Sequence, residues 1–113
     1  MTTARIAVPV AGDRLCAHFG QCESFAVFDT EAGEIIGRRD LRPPPHEPGS
    51  YPRWLAEQQV TVVLAGGMGG KARDLFAENG IRLVLGVPEQ EPRALADDFL
   101  QGRLVAGVNF CDH

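Results

Sequence analysis

Residues 60–70 read VTVVLAGGMGG, and this stretch decides the predicted fold. The segment Val60–Ala65 is almost entirely apolar, which is typical of a central strand covered on both faces. The glycines of Gly66–Gly70 then predict a loop, and a helix is predicted over 71–79 with Gly80 just after its end. A buried strand that leads through a glycine loop into a helix indicates a sheet with parallel strands.

The other predicted elements fit around this unit. Strands are predicted at Ile6–Val10, Ser24–Asp29, Glu34–Leu41 and Ile81–Leu85. Two more helices are predicted, one with Ser50 as its N-cap and one over Pro88–Gly102. The first three strands form an antiparallel meander, and the order βββαβαβα places the first strand beside Val60–Ala65. We therefore predict an α/β fold of the ribonuclease-H-like type, with a mixed five-stranded sheet and flanking helices.

Length and charge limit the classes of function. With 113 residues the chain is expected to form a single domain, 1–113, that ends in a tail at 103–113. Eleven basic against fifteen acidic residues disfavour a nucleic-acid partner. No apolar run reaches the ~18 residues of a membrane span, and no signal peptide is recognisable. The three cysteines are an odd number, which favours reduced thiols in the cytoplasm over a disulfide framework.

Two Cys-x-His pairs carry the candidate chemistry. The stretch Leu15–Cys22, LCAHFGQC, holds one pair, and the other ends the chain. Thiolates and imidazoles are ligands for soft metals and for metal–sulfur clusters. In an open α/β sheet, ligands lie beyond the carboxyl ends of parallel strands, so the Cys loop and the glycine loop should face one cleft. The predicted metal ligands are Cys16, His18, Cys22, Cys111 and His113, with the thioether of Met68 as a further soft donor.

These pieces together resemble a known family. RIAVPV, HFG at His18–Gly20, SFAVFD, PPPHEPG, VVLAGGMGGKA and NGIRLVLG resemble the dinitrogenase iron–molybdenum cofactor biosynthesis family, which includes NifX, NafY and the C-terminal domain of NifB. The resemblance implies a non-enzymatic protein that binds or carries a metal–sulfur cluster or its precursor, and it implies cofactor assembly or acceptor proteins as partners. It also implies that His18 lies in the cofactor-binding loop. The predicted cofactor-binding residues are Phe19, Gly20, Gly66, Gly67, Met68, Gly69 and Gly70.

Other interpretations remain open from the residues. Cys16, His18, Cys111 and His113 would also suffice for a mononuclear zinc site. Either arrangement is compatible with a monomer or with a homodimer that shares the site. The proline loop PPPHEPG could instead dock a partner protein.

Two enzymatic interpretations are weaker. A nuclease of this fold needs several carboxylates around its metal ions, and no acidic residue ends Val60–Ala65. A thiol enzyme would use Cys16 activated by His18, but no third orienting group is evident.

Overall fold

The computed structural model of the protein describes residues 3–16, 22–45 and 49–104. In these ranges it contains six strands and three helices. The strands are β1 (Thr3–Ala11), β2 (Arg14–Leu15), β3 (Ser24–Glu31), β4 (Glu34–Leu41), β5 (Val62–Leu64) and β6 (Arg82–Val84). The helices are α1 (Ser50–Glu57), α2 (Gly70–Glu78) and α3 (Pro92–Leu100). None of these helices exceeds nine residues, which is too short to cross a membrane.

One mixed sheet organises the chain in the order β4-β3-β1-β5-β6. Strand β1 is antiparallel to β3 and parallel to β5, with Ile6 opposite Val62 and Ala7 opposite Val63. This confirms the predicted neighbours of the first strand, with the meander on one side and the parallel strands on the other. The assignment to the ribonuclease-H-like class stays a prediction.

The predicted count of five strands was wrong, because the described sheet has six. After β1 the chain turns at Gly12, whose φ of +70° suits glycine. It then pairs back on β1 as the two-residue strand β2, with Leu15 opposite Val10. The sequence Ala11–Asp13 instead predicts the start of a loop here. Pro9 also lies within the central strand β1, although a proline near the end of Ile6–Val10 predicts an edge strand or a strand end.

The antiparallel pairing of β3 and β4 was predicted correctly, but the turn between the two strands is shorter than predicted. Its two turn residues, Ala32 and Gly33, have φ values of +51° and +80°. Positive φ at both positions is the type I′ geometry that matches the twist of two-residue hairpins. The strand β3 therefore continues to Glu31, beyond the predicted end at Asp29.

Alternating residues divide the core between the two faces of the sheet. Phe25 and Val27 pack with α1 and α2 on one side, which we call the α1/α2 face. Ala26 and Phe28 pack with α3 on the other side, the α3 face. The sequence SFAVFD at Ser24–Asp29 predicts this period-two alternation, and the structure confirms it. The two buried clusters fix the sheet between the helices.

The helices and parallel strands differ from the prediction mainly at their ends. Gly49, not Ser50, is the N-cap of α1, and α3 begins at Pro92 instead of Pro88. The strands β5 and β6 are each three residues long, and β6 is an edge strand that is only half-buried. Gly80 follows the C-cap of α2 with φ +73°, as predicted.

Candidate functional site

The first candidate loop starts and ends on opposite sides of β1. The Cys16 N–H donates to the Pro9 carbonyl at 2.8 Å, and the Glu23 N–H donates to the Val10 carbonyl at 2.8 Å. The chain therefore leaves the carboxyl end of β1 on its β5 side and returns on its β3 side. Cys16 and Cys22 stand at the two ends of the segment that separates these bonds.

Both cysteines are half-buried thiols. Leu15 packs on the α3 face, so the alternation of a strand directs the following residue, Cys16, to the α1/α2 face. Cys22 packs against the buried cluster of that same face. The structure thus places the two thiols on one face of the sheet, at the end where ligands bind in open α/β folds.

Cys16 is close enough to Cys22 to act on it electrostatically. Burial, and after it the charge interaction with the neighbouring Cys16, raises the pKa of Cys22 to about 12. Without a metal, Cys22 is therefore a protonated thiol at neutral pH. A soft metal ion would displace this proton on binding, because the thiolate is the ligand form.

Tyr51 is a neighbour of this site that sequence reasoning missed. It lies in the first turn of α1, is buried, and meets Phe25 edge-on with ring centroids 5.6 Å apart. Burial, and after it the charge of Cys22, raises the pKa of the Tyr51 phenol. No local motif marks a tyrosine in this role, since 29 positions of sequence separate Tyr51 from the Cys22 that acts on it.

The second candidate loop is the glycine segment after β5. Gly66, Gly67 and Met68 are buried, whereas Gly69 and Gly70 are exposed. The Gly66 carbonyl accepts a 2.8 Å hydrogen bond from the Gly86 N–H, which ties the loop to the segment after β6. The buried half is thus held firmly, and the exposed half opens into the first turn of α2.

The two loops leave the same end of the sheet, as predicted. They follow β1 and β5, which are parallel neighbours, so their carboxyl ends lie side by side. Met68 belongs to the buried cluster against which Cys22 packs. The structure therefore brings Cys16, Cys22 and Met68 to one end of the α1/α2 face.

The remaining predicted site residues lie outside the described ranges. They are His18, Phe19, Gly20, Cys111 and His113. Within residues 3–16, 22–45 and 49–104, no group of three His, Cys, Asp or Glu side chains could hold a metal ion. The described part of the candidate site consists of two thiols, one thioether and the glycine loop.

A family model described as dinitrogenase iron-molybdenum cofactor matches residues 2–102. The chain belongs to this family. The predicted resemblance is thereby confirmed over nearly the whole chain. The family is linked to handling of the iron–molybdenum cofactor, and it gives no support to the zinc alternative.

Individual proteins are also similar to this chain. The uncharacterized protein MJ0580 of Methanocaldococcus jannaschii is 33% identical over 82 residues, which cover 68% of this chain and 70% of the relative. The crystal structure of PH0822 superposes with a TM-score of 0.84 at 26% identity, covering 91% of this chain and 96% of that one.

A further similar structure shows a shared fold. It is the apo form of the orange protein from Desulfovibrio gigas, which superposes with a TM-score of 0.74 at 22% identity. The similarity covers 93% of each chain.

Proposed function

We propose that the protein binds a metal–sulfur cluster or cluster precursor of the iron–molybdenum cofactor type, as cargo during metallocofactor assembly. The observation that carries this proposal is the position of Cys16 and Cys22. Both thiols lie at the carboxyl end of β1 on one sheet face, beside the glycine loop that follows the neighbouring parallel strand. Membership of the family supports a role in binding or assembling the cofactor.

The donor chemistry of the described residues fits such a cargo. Thiolates are the usual protein ligands of iron–sulfur clusters, and soft metals bind preferentially to sulfur donors. His18, Cys111 and His113 are proposed as additional ligands on the basis of their Cys-x-His spacing. Phe19 and Gly20 are proposed to contact the cargo, in line with the HFG motif of the family.

The glycine loop would stabilise negative charge on the cargo. Gly69 and Gly70 are exposed and lie at the start of α2. The first N–H groups of this helix and its dipole favour anions. A Cβ placed on Gly69 would meet no described atom within 4 Å, so the backbone there is open to a ligand. Arg73 Nη2 lies 3.6 Å from the position of a Cβ on Gly70, which adds a guanidinium beside the same turn.

An open site at the edge of a sheet suits a carrier, because the cargo must leave again. We therefore propose a non-catalytic role in the cytoplasm, with transfer of the cluster to or from assembly or acceptor proteins. The exposed glycines and the thiols at the sheet edge are the surface that such a partner would approach.

Anaerobic reconstitution tests this proposal. The protein is incubated with ferrous iron, sulfide and molybdate, and bound metal and sulfide are measured together with the visible spectrum. We expect Cys16→Ser and Cys22→Ser each to reduce cluster uptake at least several-fold. The matched control is Ser24→Ala, which alters the same end of the sheet without removing sulfur. Equal uptake and identical spectra in wild type and both cysteine variants would overturn the proposal.

A further inference from the structure

Three unusual features lie together near the start of β1, at the end of the strand opposite the thiols. The first is Gln59, which follows the C-cap of α1 and has φ +64°. Helices α2 and α3 place Gly80 and Gly102 at the corresponding position, both with φ +73°. A non-glycine residue in this conformation costs about 1–2 kcal/mol. The exception at Gln59 therefore calls for a compensating interaction.

That interaction is with Arg5. The Gln59 Oε1 accepts a hydrogen bond from Arg5 Nη1 at 3.2 Å, and the Gln58 carbonyl accepts another from the same nitrogen at 2.9 Å. Glycine at position 59 could not supply this side-chain acceptor. The strained residue thus helps to hold one guanidinium in place.

The second feature is a β-bulge between β3 and β4. Asp29 pairs with Gly37 and Thr30 pairs with Ile35, so Ile36 has no partner in the register. Its side chain is 63% exposed, the one large hydrophobic side chain exposed among the described residues. Bulges re-aim side chains and are frequent next to functional sites.

The third feature is a half-buried ion pair. Arg5 Nε lies 2.6 Å from Asp29 Oδ1, with 29% and 31% of the two side chains exposed. Arg39 Nη2 approaches the same oxygen at 3.9 Å. Two guanidinium groups therefore share one carboxylate.

All three features line or border one cavity of about 420 Å³. Its walls include Arg5, Asp29, Ile36, Gln59 and Thr61. This volume is within the range of small-molecule sites, about 300–1,000 Å³. Departures from local rules are expected at functional sites, and here they converge on one space.

Arg5 offers donors to this space. Its Nε and Nη1 are used by Asp29 and by the end of α1, whereas no described residue accepts a hydrogen bond from Nη2. A guanidinium held on one side presents its remaining N–H groups in a fixed orientation, which suits a carboxylate. Ile36 adds an exposed apolar surface to the same walls.

We propose that this cavity binds a small organic carboxylate. Its carboxylate pairs with Nη2 of Arg5, and its hydrocarbon part covers Ile36. The site is distinct from the thiol site, because Arg5, near the start of β1, and Ala11, at its end, are about 20 Å apart at strand spacing. It neither requires nor delivers the metal–sulfur cargo.

The experiment is an NMR titration of the full-length ¹⁵N-labelled chain with sodium butyrate at constant ionic strength. We expect saturable shifts at the Arg5 side-chain N–H and at the amides of Gln59 and Thr61, with a Kd on the order of 1–10 mM. Ile36→Ser changes an exposed side chain, so it should fold normally and weaken butyrate binding several-fold. Shifts that grow without saturation would overturn the proposal.

A variant that removes a nearby negative charge should change the butyrate affinity in the opposite direction. Glu31 pairs with Thr3 on the face of Asp29, outside the lining of the cavity, and its carboxylate repels an anion bound there. Glu31→Gln should therefore tighten butyrate binding about two-fold or more, whereas Glu89→Gln, which is distant, should not change it. Unchanged affinity in both Glu31→Gln and Ile36→Ser would contradict the assignment. Phosphate binding as tight as butyrate would contradict an organic ligand.

Discussion

Two threonines that make the same hydrogen bonds at different depths allow a sharp test of what stabilises β1. Thr30 Oγ1 accepts from the Ala4 N–H at 3.1 Å and donates to the Ala4 carbonyl at 2.7 Å. Thr61 Oγ1 accepts from the Arg5 N–H at 3.0 Å and donates to the Arg5 carbonyl at 3.3 Å. Thr30 is 4% exposed, whereas Thr61 is exposed to solvent.

Replacement by valine removes both hydrogen bonds and keeps the size of the side chain. Leaving buried polar groups of the backbone without partners costs about 1–3 kcal/mol. We therefore expect Thr30→Val to lower the free energy of unfolding by about 1–2 kcal/mol, because the buried Thr30 side chain limits the access of water to the half-buried Ala4. Thr61→Val should cost about 0.5 kcal/mol or less, because water can satisfy Arg5.

Urea denaturation measures both values. Circular dichroism follows unfolding as urea is added and gives the midpoint and the slope (m value) of the transition. A shift of the midpoint at an unchanged m value measures the change in stability, and the two variants serve as controls for each other. Equal losses of stability in Thr30→Val and Thr61→Val would refute the reasoning, because burial would then not set the cost of the lost hydrogen bonds.

Three other predictions concern backbone conformation and the thiol site. Gly80→Ala should destabilise the protein by about 1 kcal/mol in urea denaturation, because position 80 has φ +73°. Gly69→Ala should cost much less, since φ is −69° there and an added Cβ meets no described atom; an equal loss would contradict this. The pKa of Cys22 is raised to about 12 from 9.0, so the unfolded chain releases its proton first and stability should fall as pH rises above about 9. Cys22→Ala should flatten that decline in denaturation curves at pH 8–11, and an unchanged slope would contradict the buried thiol. The same raised pKa predicts that iodoacetamide at pH 8, followed by mass spectrometry, modifies Cys22 more slowly than a cysteine in the urea-unfolded chain.

The central part of the fold could be predicted because its signals are local. The apolar run Val60–Ala65, the glycines after it and the alternation in Ser24–Asp29 each specify one element and its buried face. Connection rules then fixed the neighbours of β1. The strand β2 was missed because two residues carry no periodicity, and only the turn at Gly12 creates it.

Helix ends show a second limit of sequence reasoning. Gly80 predicted the end of α2 correctly, since glycine is the usual residue at that position. The equivalent residue after α1 is Gln59, which no propensity favours there. It is held by Arg5, a residue 54 positions away, so the local sequence could not reveal it.

The candidate site was predictable as a set of loops but not as a set of contacts. The topology alone places the Cys loop beside the glycine loop, and the structure agrees for Cys16, Cys22 and Met68. The packing of Cys22 on the α1/α2 face and its influence on Tyr51 depend on how α1 lies on the sheet. No pattern within Leu15–Cys22 contains that information.

Elemental and sulfide analysis of protein purified without oxygen tests the central claim most directly. The proposal of a cluster carrier predicts iron or molybdenum together with acid-labile sulfide and a visible absorption band, and Cys16→Ser should lose them. Zinc at one per chain without sulfide would contradict it. Protein that contains no metal and takes up no cluster on reconstitution would contradict it as well.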